Sequence, residues 1–366
     1  MSGYQFYEFQ TIDNPLSDQE RTKISALSSR VELSATRAAF VYHYGSFRGK
    51  PKELLAEHFD AYLYVSNWGT KQLMFRFPAD LVDVKSLRVY ELSYAIEVTD
   101  LGSTVILDLT LNDEDGGGWI EDGEYQLTPY LGLHSAILQG DYRGIYLAWL
   151  GCMGHSYEIN DDELSPPIPD GLGQLDTLLK NVSTYFEADP HMIAAASRHS
   201  QVKVEGAIDI REALAQLSDE EKDDFLIRLA EGESLLNVKL MRRLQPDASG
   251  SSATQQSWPT VGQLRTEAEK LSAEAEQKAS AKAERERVEA LEALALREEQ
   301  AWTDVQRLIE EGQARPYEEA VALLVQLRDL AIHRNEPGSF EQRMSGLRQT
   351  YRRRSALIRR FDNAQL

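Results

Sequence analysis

The sequence has a single cysteine, Cys152, among its 366 residues. One thiol cannot form an internal disulfide, and cysteine-based zinc sites need two to four thiolates. No apolar run approaches the ~20 residues that cross a bilayer, and the first ten residues show neither the basic nor the apolar region of a signal peptide. These absences predict a cytoplasmic protein without a membrane partner.

The motifs of common nucleotide, zinc and hydrolase sites are also missing from the sequence. There is no GxGxxG segment after a predicted strand, no GxxxxGKS phosphate loop and no GxSxG nucleophile elbow. The seven histidines form neither HxxxH nor HExxH, so helix-based zinc binding has no support. Catalysis by dispersed residues stays open, but these absences favour a protein that is not an enzyme.

Acidic residues outnumber basic ones by 59 to 39, which gives a net charge of −20. Counting from Thr260 onward gives 18 basic and 19 acidic residues, so the acidic excess lies in the first 259 residues. A strongly acidic region repels nucleic acid and anionic lipid. The charge therefore disfavours nucleic acid as a partner of the N-terminal part and leaves it only to the basic C-terminal end.

Residue periodicity predicts an α+β fold. Strands are expected at 37–46 and 73–78 and in a hairpin over 93–113, with Val105, Leu107, Leu109 and Leu111 facing one side. A helix is expected from Pro51 to residue 67. Beyond residue 130 the pattern is helical, apart from a small, polar and almost uncharged stretch. The predicted parts are a mixed sheet-and-helix domain (1–160), a helical subdomain packed on it (161–245), a flexible linker (246–259) and a helical arm with a small bundle (260–366).

Residues 262–311 contain no proline and no internal glycine, which predicts one long helix. Its first half has few large apolar residues, so both a solitary exposed helix and a weak coiled coil stay open. An apolar stripe from Leu291, followed by two further helical patterns, predicts the small C-terminal helical bundle.

The segment 113–124, DEDGGGWIEDGE, has the spacing of a calcium-binding loop, because carboxylates and a glycine occupy the positions that such a loop needs. Against this, Gly117 removes one side-chain ligand, and the flanking patterns are not helical. The alternative is an acidic turn, in which Gly and Asp adopt positive φ angles. No other cofactor is predicted. The candidate ligands, for calcium if any, are Asp113, Asp115, Glu121 and Glu124.

The end of the chain carries five arginines interleaved with three large apolar residues. This basic amphipathic pattern suits docking onto a protein partner, and a solvated basic face is the alternative. The candidate partner-binding residues are Trp302, Tyr317, Arg352, Arg353, Arg354, Arg359 and Arg360.

Two resemblances follow from longer segments. The N-terminal part contains YEFQTIDNPLS, YGSFRGKP, FDAYLYVSNWGTKQLMFR, DEDGGGWIEDGE, GDYRGIYLAWL, PPIPDGLG and LSDEEKDDFLIRLAEGE. Together these resemble a family of uncharacterised bacterial proteins, over residues 4–245, and that family implies no site. The tail, from AWTDVQRLIEEGQARPYEEA to ALIRRFDNAQL, is similar to tails of bacterial SWIM-type zinc-finger proteins. Since Cys152 alone cannot supply the SWIM motif, this resemblance implies at most an assembly module without zinc.

These observations predict a non-enzymatic interaction or scaffold protein of a bacterial cytoplasmic complex. It would recruit a protein partner through its helical C-terminal region. The alternative is an enzyme or small-ligand-binding protein with a site in the N-terminal α+β domain. A third hypothesis is a calcium-binding module at 113–124.

Overall fold

A computed structural model describes residues 3–113, 120, 125–155, 159–202, 210–244 and 258–366. The fold is α+β, which confirms the sequence prediction. The chain divides into two compact units, Met1–Ser272 (unit 1) and Ala273–Leu366 (unit 2). This division lies C-terminal to the predicted linker, of which 246–257 fall outside the described residues.

An antiparallel sheet forms the centre of unit 1. In the described residues its order is β2-β3-β1-β4-β5-β7-β6, and the predicted hairpin is the pair of β6 and β7. The strands are β1 (Gln5–Gln10), β2 (Glu32–Leu33), β3 (Arg37–Tyr42), β4 (Ala61–Ser66), β5 (Thr70–Pro78), β6 (Ile96–Asp100) and β7 (Thr104–Asn112).

Along the chain, three α-helices of unit 1 lie between strands and the others follow the last strand. Two short 3-10 helices lie at Ala79–Leu81 and Thr128–Tyr130. The α-helices are α1 (Asp18–Ser25), α2 (Pro51–His58), α3 (Val84–Arg88), α4 (Gly132–Leu138), α5 (Arg143–Gly154), α6 (Thr177–Tyr185), α7 (Pro190–Ser197), α8 (Ile210–Ala215), α9 (Asp219–Ala230) and α10 (Leu236–Leu244).

Successive side chains of the sheet point to opposite faces, and both faces are covered. The predicted stripe from Val105 to Leu111 is buried in the larger core, together with residues of α4, α5, α6 and α7. The other face packs Phe9 and Tyr62 against α1 and α2. Because β1 is covered on both faces, all six of its residues are buried.

The helix predicted from Pro51 to residue 67 is wrong in its second half. α2 ends at His58, and Phe59 is extended, with φ −131° and ψ 167°. Residues 61–66 form β4, which pairs with β1 and β5. Leu63 enters the larger core and Tyr62 the smaller one, so the aromatic and β-branched side chains of this segment fill both faces of a pleated sheet.

Helix α11 (Val261–Ala295) begins in unit 1, where Val261 and Leu264 are buried in the larger core. Its residues 273–290 are exposed, apart from the half-buried Val288. No face of this stretch is buried. Its alanines and its close ion pairs, such as Arg287–Glu284 at 2.7 Å, favour the helical conformation there. Within the described ranges, no helix combines the length and the apolarity that crossing a membrane requires.

Unit 2 has a core of its own, to which the end of α11 contributes. The single helix predicted over 262–311 is wrong, because it is interrupted at Leu296–Arg297. Leu294 before the interruption and Trp302 after it belong to the same core, whereas Leu296 is 93% exposed. The turn thus lets two apolar stretches reach one core. The remaining helices are α12 (Glu298–Glu311), α13 (Ala314–His333), α14 (Pro337–Thr350) and α15 (Ser355–Asn363).

Candidate functional site

Four ionisable side chains of unit 1 converge where its elements begin or end. Asp113 follows β7, His155 caps the C-terminus of α5, and Glu187 lies just beyond α6. The His155 Nδ1 atom is 3.8 Å from the Asp113 carboxylate, and Nε2 is 3.8 Å from the Glu187 carboxylate. Lys71, in β5, pairs with the other oxygen of Glu187. We name Lys71, Asp113, His155 and Glu187 the His155 cluster.

Two close backbone approaches place the carboxylates of this cluster. A Cβ atom on Gly69 would lie 1.7 Å from the carbonyl oxygen of Asp113, and Gly69 has a φ of +94°. A Cβ atom on Gly151 would lie 1.9 Å from the carbonyl oxygen of Phe186, which precedes Glu187. Only glycine allows contacts this close, so the turn before β5 holds Asp113 and α5 holds Glu187.

Glu187 occupies a backbone position that usually belongs to glycine. Its φ is 55°, in the left-handed region that non-glycine residues seldom adopt. The N–H groups of Glu187 and Ala188 donate to the carbonyls of Thr184 and Ser183 at 3.2 and 2.9 Å, which closes α6. Glycine is the common residue at such a helix end, and a strained residue with a charged side chain is a feature that functional sites often show.

A buried tyrosine lies behind Lys71. The Tyr185 hydroxyl donates to the carbonyls of Tyr64 and Gln72 at 3.1 and 3.3 Å, and the Lys71 Nζ atom is 6.0 Å from the centre of its ring. Burial raises the pKa of Tyr185 well above its ordinary value. This tyrosine therefore stays protonated and gives the cluster a fixed apolar wall.

The cluster places one imidazole between two carboxylates. Separations of 3.8 Å exceed hydrogen-bond length, and the side chains of Asp113 and His155 are 18% and 29% exposed. An imidazole has two ring nitrogens, and here each faces a different carboxylate. A general acid or base needs hydrogen-bond distance to its partner, so small side-chain movements or a bound molecule would have to bridge these gaps.

The predicted calcium ligands are described only at Asp113. Asp115, Glu121 and Glu124 lie outside the described residues. Across the part of the chain that the structure describes, no group of three or more His, Cys, Asp or Glu side chains is arranged to hold a metal ion. The calcium hypothesis therefore stays a prediction.

Two of the predicted partner-binding residues lie in the core of unit 2. The ring of Trp302 is 5.7 Å from the ring of Phe340 and 5.2 Å from the guanidinium of Arg343. Tyr317 is also buried, and its hydroxyl accepts a hydrogen bond from Arg354 at 3.3 Å. Their position among core side chains shows that both residues stabilise the bundle.

The five predicted arginines fall into two groups. Arg354 donates to the carbonyl of Ile309 in the last turn of α12, and Arg360 pairs with Glu318 at 3.3 Å. Both side chains are partly buried. The remaining three are exposed and have no hydrogen-bond or ion-pair partner among the described residues. These are Arg352, Arg353 and Arg359.

Comparisons of the chain with protein-family models, curated proteins and solved structures found no match. The resemblance to bacterial families therefore stays a prediction, and the function is inferred from geometry.

Sequence patterns singled out one member of the His155 cluster, Asp113, and missed the other three. His155 belongs to no spaced motif, and Lys71 and Glu187 lie far from it along the chain. One local signal was present, because Glu187 precedes Ala188-Asp189-Pro190 at the end of a predicted helix, where a positive φ is common. That signal locates a turn but does not indicate what surrounds it.

Proposed function

We propose that the chain is a protein-interaction protein, which recruits an acidic partner through unit 2. The observation that carries this proposal is the division among the C-terminal arginines. Arg354 and Arg360 serve the fold, whereas Arg352, Arg353 and Arg359 are exposed and have no partner among the described residues. A free guanidinium keeps all its donors for the carboxylates of another molecule.

The exposed stretch 273–290 of α11 supports the same proposal. A helix that is polar on every side adds nothing to a core, and this stretch has too few apolar residues for a coiled-coil seam. A spacer of this kind suits a protein that holds a partner at a distance, and it contributes no residue to the His155 cluster of unit 1.

The test replaces the three exposed arginines by serine and compares partner capture. Wild-type protein, the variant R352S/R353S/R359S and the control R285S/R307S/R315S are each used to capture proteins from a lysate of the source organism, with quantification by mass spectrometry. The control removes the same charge from exposed arginines of the same unit. Three exposed ion pairs contribute about 0.2–1 kcal/mol each, so the variant should bind its main partner more weakly by a factor of roughly 3 to 150.

Two further measurements separate recruitment from damage to the fold. The melting temperature of R352S/R353S/R359S should be close to that of the wild type, because these side chains are exposed and make no hydrogen bond or ion pair among the described residues. A protein truncated after Ser272 keeps Val261 and Leu264 in the core of unit 1 and should lose the same partner. Retention of every partner by the truncated protein contradicts the proposal.

A second function, proton transfer to or from a small molecule bound in unit 1, is favoured by the His155 cluster. A thermal-shift screen with metabolites tests it on three proteins: wild type, H155Q and the exposed control H333Q. A compound that binds the cluster should raise the melting temperature of the wild type and of H333Q but not that of H155Q. If every compound that stabilises the wild type stabilises H155Q to the same extent, these compounds do not bind at the His155 cluster.

A further inference from the structure

Helix α9 exposes three of its four large apolar side chains, and only Phe225 is half-buried. Leu226, Ile227 and Leu229 are 62%, 58% and 64% exposed, respectively. In the described structure none of the residues of α9 is buried. Leu226 and Leu229 are three positions apart and therefore lie on the same side of the helix. Together Leu226 and Leu229 form an apolar patch on α9, and Ile227 is exposed on an adjoining side of the helix.

The other side of α9 is attached to unit 1 by charged groups. Glu221 pairs with Arg243 of α10 at 2.6 Å, and Arg228 pairs with Glu233 at 2.6 Å. An open groove of about 570 Å³ runs along this side of α9, between the helix and Asp80–Leu81. An ordinary surface helix turns its apolar stripe inward. In α9 only Phe225 lies on the inner side, and Leu226 and Leu229 face solvent.

The helix forms without help from a partner. Ser218 and Glu221 form a reciprocal capping box at its N-terminus, which satisfies two of the free backbone donors there. Acidic residues in the first turn also interact favourably with the helix dipole. The apolar patch is therefore presented on a preformed surface, which lowers the entropic cost of binding.

We propose that α9 is a docking surface for a basic amphipathic helix of a protein partner. The first half of α9 exposes Asp219, Glu220 and Asp223, and the second half exposes Leu226 and Leu229. A partner helix whose apolar stripe is flanked by Lys or Arg matches both halves.

The charge of α9 disfavours the other occupants. A second copy of this chain, or an anionic membrane, would bring like charges together. The segments outside the described residues that flank α8 and α10, 203–209 and 245–257, contain two large apolar residues in all, Val204 and Ile208. These two flanking segments therefore supply no apolar stripe long enough to cover the patch, which favours an occupant from another protein.

The test measures binding of model peptides to the full chain by fluorescence anisotropy. The first peptide is a labelled helix of Leu, Ala and Lys with leucine on one side. The second has Glu in place of Lys, and the third has the composition of the first in scrambled order. The first peptide should bind, less tightly as salt is added, and the other two should bind much more weakly.

A pair of variants locates the binding. L226S/L229S should weaken binding of the first peptide by about tenfold or more, because two leucines no longer become buried in the complex. V89S/L101S removes two other exposed apolar side chains and should bind as the wild type does. Both variants should melt as the wild type does, since the replaced side chains face solvent.

Three results would overturn the proposal. Equal affinity for the scrambled peptide, or unchanged affinity in L226S/L229S, would mean that only general charge attraction is measured. A wild-type dimer that L226S/L229S dissociates in sedimentation would assign the patch to a second copy. Tighter peptide binding by V204S/I208S would assign it to the chain's own segment. The patch belongs to unit 1, so failure of the arginine experiment leaves this proposal standing.

Discussion

Replacing Gly151 by alanine tests the close approach that positions Glu187. The added Cβ would lie 1.9 Å from the carbonyl oxygen of Phe186 and 2.8 Å from its carbonyl carbon. Because the obstacle is backbone and not the end of a flexible side chain, α5 and residue 186 must move apart by a distance on the order of 1 Å. A shift of this size also separates the Glu187 carboxylate from His155.

The matched control lies at the end of the same helix. A Cβ on Gly154 would meet nothing within 4 Å, so G154A keeps the packing of α5 and gains helix propensity of up to about 1 kcal/mol. Overpacking at Gly151 costs about 1–3 kcal/mol. G151A gains the same propensity, so the free energies of unfolding of the two variants should differ by about 1–3 kcal/mol, with G151A the less stable.

Urea denaturation followed by tryptophan fluorescence measures this difference. Four of the five tryptophans precede residue 273, and Trp149 lies in α5 itself, so the signal reports mainly on unit 1. With a denaturant slope of about 3 kcal/mol/M, the midpoint of G151A should lie roughly 0.3–1 M below that of G154A. Equal midpoints for G151A and G154A would refute the close approach at Phe186, and with it the placement of Glu187.

Three other predictions concern a thiol, an arginine and a loop. Burial raises the pKa of Cys152 to about 12. Iodoacetamide near pH 8 should therefore alkylate this thiol in urea but not in the native protein. Rapid alkylation of the native protein, detected by mass spectrometry, would contradict this prediction. R354S removes a charged donor from the C-terminal end of α12 and should cost about 1–3 kcal/mol. In calorimetry R353S should be neutral, and equal melting curves would refute a structural role for Arg354. If 113–124 is an acidic turn, millimolar calcium leaves the melting temperature unchanged. A bound ion at a hundredfold excess over its dissociation constant would stabilise by about 2.7 kcal/mol, and E124Q would remove that shift.

Elements with a local signal could be predicted from the sequence. The stripe from Val105 to Leu111 alternates because its side chains face the larger core, whereas the residues between them lie on the other side of the sheet and are polar apart from the buried Ile106, so period two marks the strand. The capping box of Ser218 and Glu221 marks the start of α9, because it depends on residues three positions apart. Both signals are local, and tertiary contacts did not alter them.

Elements covered on both faces could not be predicted in this way. β1 places polar residues in the interior: Glu8 is 1% exposed, a position that a sequence pattern assigns to solvent. Its carboxylate is 2.6 Å from Arg37 and accepts a hydrogen bond from the backbone N–H of Leu127 at 2.8 Å. A buried charge is tolerated only with such partners, and these come from distant parts of the chain. The alternation that identifies a strand is therefore absent from β1, an interior strand of the sheet that pairs with β3 and β4.

The candidate surfaces show a related limit, because the core and an interaction surface use the same kinds of side chain. The aromatic and basic residues of unit 2 predicted docking, yet Trp302 and Tyr317 fill its core, and Arg354 closes a helix end there. The sequence does not tell the structural arginine, Arg354, from the exposed Arg352 and Arg353. They differ only in their tertiary contacts, since Arg354 alone donates to the carbonyl of Ile309. An apolar side chain counts toward an interaction surface only when the core is complete without it. Leu226 and Leu229 meet that condition, because neither belongs to any of the three cores and both side chains face solvent.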